Sequence, residues 1–240
     1  MTSAAITDRF HDLYCQSAVW QNTYWRNTPV LKCPFDLWIY QELIFKLQPD
    51  LIVECGTWAG GSSLFMAHML DLTGRGSVVT IDILSSEQVI AHYEQYQTEG
   101  IAQIRVRPKH PRVRQLLGSS TDAAIVDGVK EIAKGQASVL VIADSDHSQE
   151  HAYAELQAYH ELVTPGSYFI MEDTNIRHDG PGAAVTRFLA EHPEFEVDRT
   201  LEKFFLTFNP GGYLQRRTSL RGCAKAPLEH LAPENNSKTN

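Results

Sequence analysis

Four short apolar runs that close on an acid or on a glycine constrain this chain more than anything else in it. Leu51-Ile-Val-Glu-Cys55 runs into Gly56, Val78-Val-Thr-Ile81 into Asp82, Val139-Leu-Val-Ile-Ala143 into Asp144, and Tyr168-Phe-Ile-Met171 into Glu172. Continuous apolar stretches of this length are strands buried on both faces, which is the signature of a parallel sheet. A fifth candidate, Val113 to Gly118, precedes Ser119-Ser-Thr-Asp122, where Thr121 is a plausible helix N-cap. Between the runs lie segments of helical length: Gly60 to Leu72, Glu87 to Thr98, Ser148 to Val163 (stopped by Thr164-Pro165-Gly166) and Gly182 to Glu191. Phe195 to Arg199 and Phe204 to Phe208 read as a closing pair of strands. Strands alternating with helices, joined by right-handed crossovers, give a doubly wound, mostly parallel Rossmann-like α/β sheet. Helices cover both faces and an antiparallel strand closes the edge.

The expected organisation is an N-terminal helical and aromatic cap over residues 1–48, carrying Trp20, Trp25 and Trp38, an α/β domain over residues 49–214, and a tail over residues 215–240. The end of that tail, from Ala226, is rich in Pro, Asn, Lys and Glu, a composition that does not pack. A net charge of −8 disfavours nucleic acid as a partner, because phosphate binding needs a basic surface. The cysteines Cys15, Cys33, Cys55 and Cys223 form no CxxC pair, which points to free thiols and a cytoplasmic setting. No secretory signal or membrane-spanning run is read. The basic run Arg105, Arg107, Lys109, Arg112, Arg114 reads first as a solvated loop.

In a doubly wound sheet, ligands sit beyond the carboxyl ends of the strands. The loop after the first of these strands, Glu54-Cys-Gly56-Thr57-Trp-Ala-Gly60-Gly-Ser62-Ser63, is glycine-rich and opens a helix. It lacks the spacing of a dinucleotide or Walker loop. An acid at its head repels a pyrophosphate and suits a cationic ligand such as the methionine end of S-adenosylmethionine. Asp82 ends the next strand, where a nucleoside-binding sheet places an acid for the ribose hydroxyls. Ser119 and Ser120 then lie by the adenine.

Several segments together resemble one family. Trp25-Arg-Asn-Thr-Pro-Val-Leu-Lys32-Cys-Pro34-Phe-Asp36-Leu-Trp-Ile-Tyr-Gln41-Glu42, the Glu54 to Ser63 loop, Leu117 to Asp122, Asp144-Ser-Asp-His147 and Leu162 to Tyr168 are similar to segments of the cephalosporin hydroxylase family, which includes rhamnosyl O-methyltransferases. The likeness spans Asp12 to Leu214. It implies a class I methyltransferase fold, S-adenosylmethionine, magnesium and assembly into a homo-oligomer.

Asp144, Asp146, Glu172 and Asp173 follow two strands expected to be adjacent, and their oxygens suit Mg²⁺. A metal there orients an acceptor hydroxyl and lowers its pKa. The arrangement resembles that of catechol O-methyltransferases, with a second acid, in Glu172-Asp173, in place of an acid/amide pair. Whether Asp144 or Asp146 is the ligand stays open at this level. His147, three residues after Asp144, is the candidate general base, with Asp144 beside it in the catalytic set. The expected activity is methyl transfer to a hydroxyl of a small natural product or sugar. Two rivals share the sheet: a nicotinamide- or iron-dependent oxidoreductase, and a non-catalytic cofactor-binding scaffold. His147-Ser-Gln-Glu-His151 also matches the inverted zinc-protease pattern H-x-x-E-H.

Overall fold

The computed structural model describes residues 3–89, 91, 107–176 and 179–218. Helix α1 (Ser3–Ser17) leads through a 3-10 turn to a two-stranded ribbon, β1 (Tyr24–Trp25) and β2 (Thr28–Pro29), and then to α2 (Pro34–Leu47). The remaining elements are β3 (Leu51–Cys55), α3 (Gly61–Thr73), β4 (Ser77–Asp82), β5 (Val113–Leu117), α4 (Ala123–Ala133), β6 (Val139–Ala143), α5 (Gln149–Tyr159), β7 (Tyr168–Met171), α6 (Pro181–Glu191), β8 (Phe195–Val197) and β9 (Tyr213–Arg216). The main sheet runs β5-β4-β3-β6-β7-β9-β8. Its first five strands are parallel, and β9 pairs antiparallel with both β7 and β8.

Alternation along each strand feeds two cores. Leu51, Val53 and Cys55 face one side with Val141, Phe169 and the inner residues of α4, α5 and α6. Ile52, Val78, Leu140, Ile142 and Ile170 face the other, against Ile39, Tyr40, Leu43 and Ile44 of α2 and Phe65, Met66 and Leu70 of α3. Helix α2 thus lies within the stretch expected as a cap, and its inner residues belong to the sheet's second core. Pro34 at its first turn pre-sets the helical φ, and Gln48 in the left-handed region ends it.

Three expectations differ from the fold. The edge strand β8 pairs with Tyr213–Arg216, not with Phe204 to Phe208. Phe205 stands at φ 65°, and Leu206 and Phe208 turn inward onto Cys33, Tyr14, Cys15 and Trp20, so this stretch packs as an irregular hub. Asp122, not Thr121, precedes α4, and its side chain makes no capping hydrogen bond. The long helix expected over Ser148 to Val163 ends at Tyr159 and tightens into a 3-10 turn at His160–Leu162. The end of the helix expected over Glu87 to Thr98 and the tail from Ala226 lie outside the described residues.

Candidate active site

The carboxyl ends of β3, β4, β5, β6 and β7 line up at one edge of the sheet, as the pairing registers require. Gly56 (φ +95°) makes the close approach possible there. A Cβ on it would fall 1.7 Å from the carbonyl oxygen of Asp144, so only glycine lets the β3–α3 loop lie against the end of β6.

Asp144, His147 and Asp173 converge at the ends of β6 and β7. One ligand-type atom from each lies within 4.8 Å of the others. His147 Nε2 stands 3.0 Å from Asp173 Oδ2 and 3.5 Å from Asp144 Oδ1. Asp173 has a positive φ of 54°, a sparsely populated conformation for a non-glycine residue, and its amide donates to Asn209 Oδ1. Hydrogen bonds to the two aspartates push the His147 imidazole up to about 10.

Glu172 sits one layer deeper. Lys32 Nζ donates to Glu172 Oε1 at 2.6 Å and also to Asp144 Oδ2, and Tyr40 donates its hydroxyl to Glu172 Oε1 at 2.6 Å. Burial would raise Asp144, but Lys32 and His147 hold it well below the usual carboxylate range. Burial and the neighbouring Asp144 push Glu172 up despite Lys32. Asp146 turns away from this centre. Its Oδ1 accepts from the Ser148 amide at 2.8 Å at the start of α5, so Asp144, rather than Asp146, is brought to the cluster.

Glu54 faces inward. It is fully buried and accepts hydrogen bonds from Ser62 (2.5 Å), Ser63 and Thr80 (2.6 Å), at the N-terminus of α3. Ser62 and Ser63 are thereby committed to Glu54, and Thr57 meets Thr80 at 2.6 Å. Gly60 takes the left-handed conformation that starts α3. Asp82 accepts from the amides of Trp58 (2.6 Å) and Leu84 (2.8 Å) and pairs with Arg107 at 2.8 Å. Arg107 is therefore not on a solvated loop, as its basic run suggested. It is buried, and it also donates to the carbonyls of Trp58 and Leu84. Ser119 bonds Thr121, whereas Ser120 turns inward to Glu155 and His151. Ile83, just beyond β4, and Leu117, the last residue of β5 and the register partner of Asp82, are 66% and 62% exposed.

The zinc-protease pattern does not assemble. His147 joins Asp144 and Asp173, while His151 is tied to Ser120 and Glu155, so the two histidines do not share a ligand point. Sequence reasoning assigned no role to Lys32, Tyr40, Asp36 or Arg107. Asp36 is buried and accepts from Thr207 Oγ1 (2.5 Å), the Phe208 amide (2.9 Å) and Tyr213 Oη (2.8 Å). It fastens the start of α2 to the 207–213 segment, which in turn carries Asn209. The only signal for Lys32 and Asp36 was their place in the Lys32-Cys-Pro34-Phe-Asp36 segment.

The family model described as Rhamnosyl O-methyltransferase/CmcI matches residues 17–217. A rhamnosyl O-methyltransferase of Mycobacterium tuberculosis is 30% identical over 226 residues, covering 89% of this chain and 86% of the relative. One from Mycobacterium leprae is 28% identical over 225 residues, covering 89% and 91%. A CmcI structure solved with Mg and SAM superposes with a TM-score of 0.60 at 20% identity, over 82% of this chain and 77% of that one. The O-methyltransferase NovP superposes at 0.55 with 16% identity, over 89% and 100%. The chain belongs to the Rhamnosyl O-methyltransferase/CmcI family.

Proposed function

We propose that the protein is an S-adenosylmethionine-dependent, Mg²⁺-assisted O-methyltransferase acting on a hydroxyl of a sugar or other small natural product. The observation that carries this reading is the convergence of Asp144, His147 and Asp173 at the ends of β6 and β7. Two carboxylates and an imidazole within reach of one another, partly open to solvent, fit a hard divalent cation with room for waters and an acceptor oxygen. Asp144 and Asp173 would hold it, with Glu172 behind them, and a cation there supplies Lewis acidity toward the acceptor hydroxyl. The curated relatives named rhamnosyl O-methyltransferases favour a glycosyl hydroxyl as the acceptor.

S-adenosylmethionine fits the strand ends next to this cluster. The exposed Ile83 and Leu117 would offer apolar faces to an adenine, and Asp82, next to Ile83 in the chain and paired in register with Leu117, would meet the ribose. Ser119 and the Gly56–Gly60 backbone border the same space. Glu54 and its three hydroxyl donors support the loop from within, so the methionine end would meet loop backbone and the Asp144 side, not Glu54 itself.

His147 would take the hydroxyl proton through Nε2. Its two carboxylate partners keep the imidazole protonated at neutral pH, so it serves as a base only when Asp144 or Asp173 is otherwise engaged. Residues 1–48 would close the acceptor side, since α1 lines, together with Asn175 and the 202–210 segment, a cavity of about 590 Å³. A cytoplasmic homo-oligomer without nucleic-acid partners remains our proposal. Among the described residues, no helix is long and apolar enough to cross a membrane. Calorimetric titration with S-adenosylmethionine, with and without Mg²⁺, tests the reading. Binding strengthened by Mg²⁺, together with methylation of a glycoside panel, is expected, and no binding in either condition would overturn it.

A further inference from the structure

Lys32 lies between two acids that are far from it in sequence. Its ammonium touches Asp144 Oδ2 and Glu172 Oε1, and its side chain is only 3% exposed. The lysine is held from both sides of the chain. The Lys32 amide donates to Thr23 Oγ1 at 3.3 Å, and Asp36, four residues on, anchors the start of α2. Tyr40, one turn after Asp36 on α2, completes the grip on Glu172. Asp144 Oδ1 and Asp173 Oδ2 remain directed at His147 on the open side. The inner and outer oxygens of Asp144 are thus divided between a lysine and the candidate cation centre.

With His147 neutral, as a cation on its carboxylate partners would leave it, three carboxylates, Asp144, Glu172 and Asp173, and one ammonium sum to two negative charges, which matches one divalent ion. Without Lys32 that centre would carry three, two of them on adjacent strand ends, where Glu172 is buried and Asp144 half-buried and unpaired charge is costly. We propose that Lys32 is the internal counter-cation of this centre: it keeps Asp144 and Glu172 together whether or not a divalent ion is bound, and so makes the folded state independent of that ion. This inference rests on the cation reading above.

The linkage has a definite sign. A fixed positive charge that stabilises the ion-free protein, and repels the ion from a few ångströms away, weakens ion binding while sparing the fold. In Lys32→Met the melting temperature in EDTA should fall, the rise on adding MgCl₂ should exceed that of the wild type, and calorimetry should give Mg²⁺ affinity tighter by about tenfold or more. Lys32→Arg keeps the charge and should behave as the wild type in the size of its MgCl₂ shift. If Lys32→Met folds only with MgCl₂ present, the proposal is supported. If it fails to fold in both conditions, Lys32→Gln takes its place, with the same signs expected. Mg²⁺ affinity equal to or weaker than wild type, in a folded uncharged variant, would overturn the counter-cation role alone. No Mg²⁺ binding by the wild type would overturn the cation reading itself, so the two failures are distinguishable.

Discussion

Two groups of acids at the same edge of the sheet, one fully buried and one partly open to solvent, are satisfied in opposite ways. Glu54, at the end of β3, is enclosed by neutral donors: Ser62, Ser63 and Thr80. Asp144 and Glu172, at the ends of β6 and β7, are met by Lys32, Tyr40 and, on the outside, His147. The first set has no exposure, whereas the side chains of Asp144, Asp173 and His147 are 24%, 21% and 41% exposed. Closed neutral hydrogen bonding makes a structural latch, because both oxygens of a fully buried carboxylate have donors and no face of it is open to solvent. Charged pairing that opens to solvent leaves oxygens available and energetically unsettled, which is the condition for binding an ion or moving a proton.

The comparison breaks at its strongest point if Asp144 is dispensable. Asp144→Asn should lower methyl transfer by about three orders of magnitude, equivalent to about 4 kcal/mol, through loss of a cation-holding carboxylate. Steady-state rates at saturating S-adenosylmethionine measure this, and a change of only a few fold would remove Asp144 from the chemistry. Glu54→Ala should instead cost about 3 kcal/mol of folding stability in urea, since it leaves three buried hydroxyls without their acceptor. Its residual folded fraction should retain Mg²⁺ binding, which separates a latch from a ligand.

His147→Ala should reduce the rate by about 100-fold with cofactor binding intact. The same variant sharpens the electrostatics. The imidazole is raised from 6.5 to about 10 in the folded protein, so its ion pairs stabilise the fold fully below the unfolded value near 6.5. That contribution declines as pH rises through about 10. In EDTA, the stability difference between wild type and His147→Ala should therefore be largest at pH 6 and nearly gone at pH 10.5. The smallest effect belongs to Asp146→Ala. Loss of the hydrogen bond to the Ser148 amide should cost less than about 1 kcal/mol and leave the rate close to wild type.

Much of this is legible in the sequence. The apolar runs that became β3, β4, β6 and β7 are buried along their length, and strand periodicity together with termination on acids located the functional edge. Of the motifs that carry the family resemblance, Glu54 to Ser63, Leu117 to Asp122 and Asp144 to His147 lie on that edge, whereas Leu162 to Tyr168 enters β7 from the opposite one. Phe204 to Phe208 has a strand-like composition, yet β8 pairs with β9. Those aromatics are instead drawn to Cys33, Tyr14 and Trp20, which are distant in sequence. Hydroxyls at a helix N-terminus can serve a ligand or a buried acid equally well, and those of Ser62 and Ser63 bond Glu54. Only the position of Glu54 inside the sheet decides which.

What the sequence determined by itself was the class of sheet, the edge at which chemistry is possible and the acids present there, because short-range periodicity and strand termini are local properties. The tertiary structure decided how those acids are partnered. Lys32 lies 112 positions from Asp144 and 140 from Glu172, and Arg107 lies 25 from Asp82. No local pattern links such residues. Packing of α2 on one core, and the crossovers that lay β6 beside β7, bring a buried ammonium between two carboxylates.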